Sequence, residues 1–288
     1  MSGNVFKLGV LKLGCIGAAP LLDLLLDERA DREDLDVKAF TSGAKLDPDA
    51  CAEATTSTIE YGPDLIVMVS PNAALPGPKA SRLNVAAANI PIITVSDGPS
   101  KKAFYKKNAE GKQSIDVGER QGFFVLTCDP MIGARREFLD PTEMSLFNAD
   151  VIRVLAATGV LRFIQIELDR VIAELKAGGA VDMPKVDVTA EKAVDAGGFA
   201  NPYARAKALA ALKVSESVAA VTLKGCFVEQ DAAKYITLVA AGHEMMRAAA
   251  RLADEARELE KSGDTLLRTP HSSDGERLRK HRLADKPS

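Results

Sequence analysis

The sequence predicts an α/β protein in two parts: an N-terminal parallel-sheet domain over residues 1–139 and a mainly helical domain with a small β element over residues 140–288. Three observations carry this. Short apolar runs alternate with helical patterns through the first part, the signature of a parallel sheet wound through helical crossovers. The run LIVMVS at 65–70 is apolar almost throughout, as in a strand covered on both faces. From residue 141 onward the helical period dominates, with long stretches at 141–176 and 231–261.

Each element has a local reason. Residues 5–13 read as the first strand, Gly14-Cys15-Ile16-Gly17 as a turn and 18–27 as a helix. Residues 36–41 form a second strand. Residues 48–61 form a helix with Asp47 as N-cap and Pro48 at its first position. After the strand at 65–70 come a helix at 78–88, a strand at 92–96 and a last strand at 121–127. Lys101, Lys102, Lys106 and Lys107 lie between those two strands, as a solvated surface helix or a basic lip for an anionic ligand.

In the second part, Asp140-Pro141 followed by Glu143 starts a helix that runs to Lys176 or breaks at Gly159, and Gly178-Gly179 ends it. Residues 201–218 form a helix opened by Asn201-Pro202, and 221–228 read as a short strand. In the helix at 231–261, Leu238, Met245, Leu252 and Leu259 recur every seven residues beside Gly242, Ala249 and Ala256. Small residues next to a leucine seam let helices approach closely, within the chain, between subunits or both. The tail from Glu276, with Arg277, Arg279, Lys280 and Arg282, is expected to fray in solvent.

Composition narrows the function. The chain has 288 residues, 47% of them hydrophobic and 27% charged, an ordinary composition with ample core material. Trp is absent and aromatics make up 5%, so Leu, Ile, Val and Ala must build the core. A net charge of -3 argues against nucleic-acid binding. Cys15, Cys51, Cys128 and Cys226 are widely spaced with no C-x-x-C, which fits reduced thiols in a cytoplasmic protein and no structural zinc. The N-terminal apolar run contains Lys7 and Lys12, unlike a signal peptide, and no apolar stretch approaches the ~20 residues that span a bilayer.

Familiar catalytic signatures are missing. The first turn, L-G-C-I-G, is not G-x-G-x-x-G, so the α/β domain is Rossmann-like only in a non-classical sense. No G-K-[ST] or G-x-S-x-G occurs, and His243-Glu244 is not completed as a zinc motif because Arg247 occupies the second His position. His243 is expected to pack, not to ligate.

What remains is a set of loops leaving strand ends, where open α/β sheets hold ligands. Lys12, Gly14 and Gly17 follow the first strand, and the glycines allow close approach to backbone N–H groups. Pro71-Asn72-Ala73-Ala74-Leu75-Pro76-Gly77-Pro78 follows the third, its three prolines stiffening a ligand wall. Asp97-Gly98-Pro99 follows the fourth. Asp129 to Arg136 follows the fifth, and Arg135 and Arg136 offer planar forks suited to phosphate or carboxylate.

Nearly the whole chain also resembles one family. The pieces that carry the resemblance are LLDERADRED (25–34), PNAALPGP (71–78), GARREFLDP (133–141), LAATGV (155–160), NPYA (201–204), GCFVEQD (225–231), HEMMR (243–247), ADEARELEKS (253–262) and RTPH (268–271) followed by Asp274-Gly275. They resemble the coenzyme F420-dependent methylenetetrahydromethanopterin dehydrogenases of methanogenic and related archaea. The first turn carries Cys15 where the resemblance leads one to expect Asn.

The resemblance implies reversible hydride transfer from 5,10-methylenetetrahydromethanopterin to oxidised coenzyme F420, an 8-hydroxy-5-deazaflavin. It implies no metal, no bound flavin and direct transfer in a ternary complex. Gly14, Cys15, Gly17, Pro71 and Asn72 would form the deazaflavin floor, and Lys12 would orient a ring. Asp97 and Asp129 would stabilise cationic charge growing on the pterin. Arg135, Arg136, Asp140 and Glu143 would serve the pterin side, the arginines by holding an anionic group or else by capping the surroundings of the long helix, while Glu229 and Gln230 are expected to be structural or to reach a neighbouring subunit's site. The implied partners are the tetrahydromethanopterin-type carrier, coenzyme F420 and further copies of the chain, as dimers or a homohexamer built as a trimer of dimers. Two other readings stay open at this point: an NADP-dependent methylene-tetrahydropterin dehydrogenase, and a non-catalytic pterin- or deazaflavin-binding protein.

Overall fold

The computed structural model describes residues 5–28, 30–108 and 111–288. Contacts divide the chain into two compact units, neither a single continuous stretch. The first comprises Met1–Leu126, Ile164–Asp187 and Thr269–Leu278, and the second Thr127–Phe163, Val188–Arg268 and Arg279–Ser288.

The first unit is built on a six-stranded sheet. Its strands are β1 (Phe6–Lys12), β2 (Leu35–Thr41), β3 (Leu65–Ser70), β4 (Ile92–Ser96), β7 (Gln121–Leu126) and β8 (Lys185–Val188), in the order β2-β1-β3-β4-β7-β8. β1 pairs in parallel with both β2 and β3, β3 with β4, and β4 with β7. Every residue of β3 is buried, as its apolar run requires. Between the strands lie α1 (Leu22–Leu26), α2 (Pro48–Glu60) and α3 (Pro76–Ala87). Asp47 caps α2 by accepting from the Ala50 N–H at 3.0 Å. The missing aromatics are offset by concentrating those present: Phe104 stacks on Phe123 with ring centroids 4.4 Å apart, deep in the core.

The second unit is helical. It holds α4 (Pro141–Ala157), α6 (Ala190–Gly197), α7 (Pro202–Leu223) and α8 (Ala232–Ser262). α8 packs against α7 and α4. At Gly242 an added Cβ would come 2.5 Å from Thr222 Cγ2, so the glycine lets α8 sit against α7. Gly242, Ala249 and Ala256 are buried, whereas Leu238, Met245, Leu252 and Leu259 are only half-buried. The small-residue stripe therefore serves packing within the chain.

Several expectations need correction. The helix expected at 18–27 shrinks to Leu22–Leu26, because Ala19 and Leu21 donate to carbonyls three residues back and Pro20 interrupts the α-ladder. The lysine-rich segment is not a helix of the expected kind. Gly98–Ala103 is a 3₁₀ turn, followed by a hairpin of β5 (Tyr105–Lys107) and β6 (Gln113–Ile115). The stretch at 141–176 divides into α4 and α5 (Val160–Lys176) at Gly159, whose φ is +101°.

The strand expected at 221–228 is instead the end of α7 and a π-helical turn, Lys224–Val228. Arg135 holds that turn, donating from Nε to Gly225 O at 3.0 Å and from Nη2 to Glu229 O at 2.9 Å. β8 and α6 were not anticipated: β8 is four residues with alternating charge, and α6 is an eight-residue helix. The tail does not fray. Arg268 and Lys280 exchange backbone hydrogen bonds at 2.8 and 3.0 Å, and Arg277 reaches Asp169 at 3.1 Å.

Candidate active site

Within the first unit, the sheet order reverses at β1. The chain leaves β1 for β2 on one side and returns to β3 on the other. The carboxyl ends of β1 and β3 thus flank a topological switch point, where an open sheet leaves a crevice. Gly14, Cys15 and Gly17 lie just beyond β1, and Pro71 and Asn72 just beyond β3.

The loops here are held tightly. Leu13 donates its N–H to Val69 O at 2.9 Å, keeping the turn in line with β3. Gly14 has φ +78°, and a Cβ there would lie 2.8 Å from Leu46 Cδ2 and 3.2 Å from Pro71 Cδ. Only glycine meets both demands. The Gly14 N–H donates to Ser42 Oγ at 3.3 Å. Asn72 shapes its own loop, its Oδ1 accepting from the Ala74 N–H at 3.1 Å. Ser96 and Ser100 tie this loop to the one after β4: Ala73 N–H donates to Ser100 Oγ at 2.8 Å, and the two hydroxyls lie 2.5 Å apart. Sequence reasoning missed Ser96 and Ser100, because serines without a motif give no signal.

Lys12 ends β1 and pairs with Asp23 at 2.9 Å. Asp97 is 2% exposed and caps the 3₁₀ turn, accepting from the Gly98 N–H. The first unit therefore brings together Lys12, Gly14, Cys15, Gly17, Pro71, Asn72 and Asp97 at the carboxyl edge of the sheet. A cleft of about 690 Å³ lined by Phe6, Asp64 and Arg120 opens at the opposite edge, and none of these candidates lines it.

The remaining candidates lie in the second unit. Asp129 is wholly buried. The guanidinium of Arg135 donates to the π turn and sits 4.1 Å over the Tyr235 ring, with the side chain half-buried. Arg136 is exposed. Asp140 caps α4, accepting from the Glu143 N–H at 2.7 Å. Glu143 Oε2 lies 3.8 Å from His243 Nδ1. His243 is packed between the rings of Phe138 and Phe147, with centroids 4.8 and 4.7 Å away. Burial pushes its pKa down, against the carbonyl of Gly133 and Glu143, so the ring is neutral at pH 7. Among the described residues no group of three or more His, Cys, Asp or Glu side chains is arranged to hold a metal ion.

Comparison with known proteins places this arrangement. The family model described as methylene-5,6,7,8-tetrahydromethanopterin dehydrogenase matches residues 6–288. The chain belongs to this family. An F420-dependent methylenetetrahydromethanopterin dehydrogenase of Archaeoglobus fulgidus is 54% identical over 98% of this chain and 99% of its own. That of Methanocaldococcus jannaschii is 49% identical over the same shares. A solved F420-dependent methylene-tetrahydromethanopterin dehydrogenase, in complex with methylene-tetrahydromethanopterin and coenzyme F420, superposes with a TM-score of 0.91 at 42% identity. It covers 99% of this chain and 100% of that one.

Proposed function

We infer that this chain catalyses reversible hydride transfer between 5,10-methylenetetrahydromethanopterin and oxidised coenzyme F420, giving 5,10-methenyltetrahydromethanopterin and reduced F420. The observation that carries this is full-length likeness to relatives of that activity, at 54% identity in one case. The deazaflavin takes up the hydride and the pterin nitrogens carry the resulting cation, so the protein's part is to hold two rings in register and exclude competing reactions.

The residue roles are our proposals. Gly14, Cys15, Gly17, Pro71 and Asn72 form the deazaflavin floor. The support is their place at the switch point and the backbone rigidity of both loops. Lys12, with its charge balanced by Asp23, orients a ring at that edge. Asp97 and Asp129 offset cationic charge on the pterin. Both are buried, and a carboxylate already fixed in a low-dielectric setting acts without reorganising. Arg135 and Arg136 take the anion-holding part, and Asp140 and Glu143 serve the pterin side. We assign the cofactor side to residues 1–139 and the substrate side and oligomer contacts to 140–288. We place the chain in the cytoplasm as a homo-oligomer: none of its four cysteines is in a disulfide, and among the described residues no helix is long and apolar enough to cross a membrane.

The deciding experiment is an anaerobic absorbance assay with methylene-pterin and either oxidised F420 or NADP in separate cuvettes. Bleaching of the deazaflavin alone is expected. Reduction of NADP with F420 unchanged would transfer the reading to a nicotinamide enzyme, and pterin binding without turnover to a binding protein. Asp97→Asn and Asp129→Asn test the carboxylates: each is expected to lower kcat by about 10²-fold with KM little changed. Unchanged kcat in both removes them from the mechanism.

A further inference from the structure

The lysine-rich segment has a structural counterpart that hydride transfer does not explain. In the first unit, α3, the 3₁₀ turn, β5 and the segment after β6 line a half-open cavity of about 690 Å³, within the range typical of small-ligand sites. Lys79, Arg82, Lys102 and Lys106 line it with one carboxylate, Asp116. The chain as a whole carries -3, so this is a local reversal of charge. Asp116 is taken by Lys106 at 2.5 Å. No ion pair to a described residue engages Lys79, Arg82 or Lys102.

Arg82 is the decisive residue. It is 6% exposed, so its guanidinium has lost nearly all of its water. Its Nη1 donates to Ala103 O at 3.2 Å, and its Cζ lies 5.1 Å over the Phe104 ring. Its buried Nε has no hydrogen-bond partner. A neutral carbonyl and a ring face are a poor exchange for hydration of a full charge, and burial pushes the guanidinium pKa down. Buried charges are ordinarily paired. Here the protein supplies two further cations and no free acid.

We propose that this cavity binds a phosphate-type oxyanion, with Arg82 as the buried anchor and Lys79 and Lys102 closing over it. Arginine's planar donors suit tetrahedral oxyanions, and two exposed ammonium groups add attraction without fixing geometry. The oxyanion belongs either to the cosubstrate or to a separate small ligand. The proposal does not depend on the dehydrogenase reading, because binding is measured without turnover.

The test is calorimetric titration of the full chain with inorganic phosphate at low ionic strength. Saturable one-to-one binding is expected, weakened about tenfold or more by Lys79→Ala with Lys102→Ala, the loss of charge-assisted hydrogen bonds. Arg82→Met, which keeps the side-chain volume, should abolish binding. If that variant fails to fold, the double lysine variant on the surface carries the test alone. No saturable uptake by the wild type, or equal uptake by the double variant, overturns the proposal. Where phosphate binds, its effect on turnover separates the sources. A raised KM for F420 that disappears in the double variant makes the oxyanion the cosubstrate's own. Unchanged KM for both reactants makes it a separate ligand.

Discussion

His271 shows how much a single residue can hold. Its ring is fully buried between two carboxylates, with Nδ1 3.0 Å from Glu28 and Nε2 3.0 Å from Asp169, and its N–H donates to Glu28 at 2.6 Å. Arg277 also engages Asp169, and the charge of Arg32 is felt at the ring. Burial alone would lower the His271 pKa, but the hydrogen bonds to Asp169 and Glu28 outweigh it and raise it above the ordinary 6.5. Its contribution to stability is therefore complete below 6.5 and is lost as pH rises through the folded-state value. Burial would raise the Glu28 pKa, but hydrogen bonds from His271 bring it below 4.5. That contribution is present above 4.5 and lost as pH falls through the folded value. His271→Gln should cost about 3 kcal/mol near neutrality and flatten the fall in Tm as pH rises above 6.5. Thermal unfolding across that range decides it, and an unchanged alkaline limb would acquit His271.

Asp140 poses a residue-scale choice between two duties. Its carboxylate caps α4, a role whose loss costs about 1 kcal/mol. Asp140→Ala should lower stability by that amount, and Asp140→Ser should restore it. If Asp140 also meets the pterin, as we propose, Asp140→Ser will keep a raised KM for methylene-pterin despite its repaired cap. A KM equal to wild type would leave Asp140 with capping alone.

At the scale of elements, Gly159 decides whether residues 141–176 are one helix or two. Its φ of +101° and a would-be Cβ only 2.0 Å from Ala193 O leave no room for any side chain. Gly159→Ala should destabilise by more than about 3 kcal/mol, since backbone strain and a backbone clash add. Denaturant unfolding measures it, and a cost below about 1 kcal/mol would contradict this account. The π turn is the opposite case. Nothing local in GCFVEQD marks it, and the strand expectation failed because Arg135, some ninety residues earlier, supplies the donors that hold its carbonyls.

At the scale of the molecule, the second unit leaves Phe227 66% and Val228 70% exposed, adjacent on the π turn that follows α7. Exposed apolar side chains grouped on a turn mark a contact surface. We expect a homo-oligomer in sedimentation velocity, and a shift to smaller species in Phe227→Ser with Val228→Ser. A monomeric wild type would remove the oligomer from our reading.

Much of this protein was legible in its sequence because the cause was local. Strands β1, β3, β4 and β7 follow from apolar runs, α2 and α4 from Asp-Pro starts, and the long α8 from its periodicity. Gly14 and the Pro71-Asn72 loop were legible because they mark strand ends. Family membership was legible because motifs persist along the whole chain. What tertiary structure alone decided rests on partners far apart in sequence. β8 is a strand through joining the sheet edge beside β7, the tail is held by Asp169, and Arg135 holds a turn some ninety residues away. The oxyanion cavity belongs there too: lysines become a site only where folding buries Arg82 among them while the one lining carboxylate, Asp116, is paired with Lys106. Local propensity sets elements, but burial and charge pairing are properties of three-dimensional neighbours.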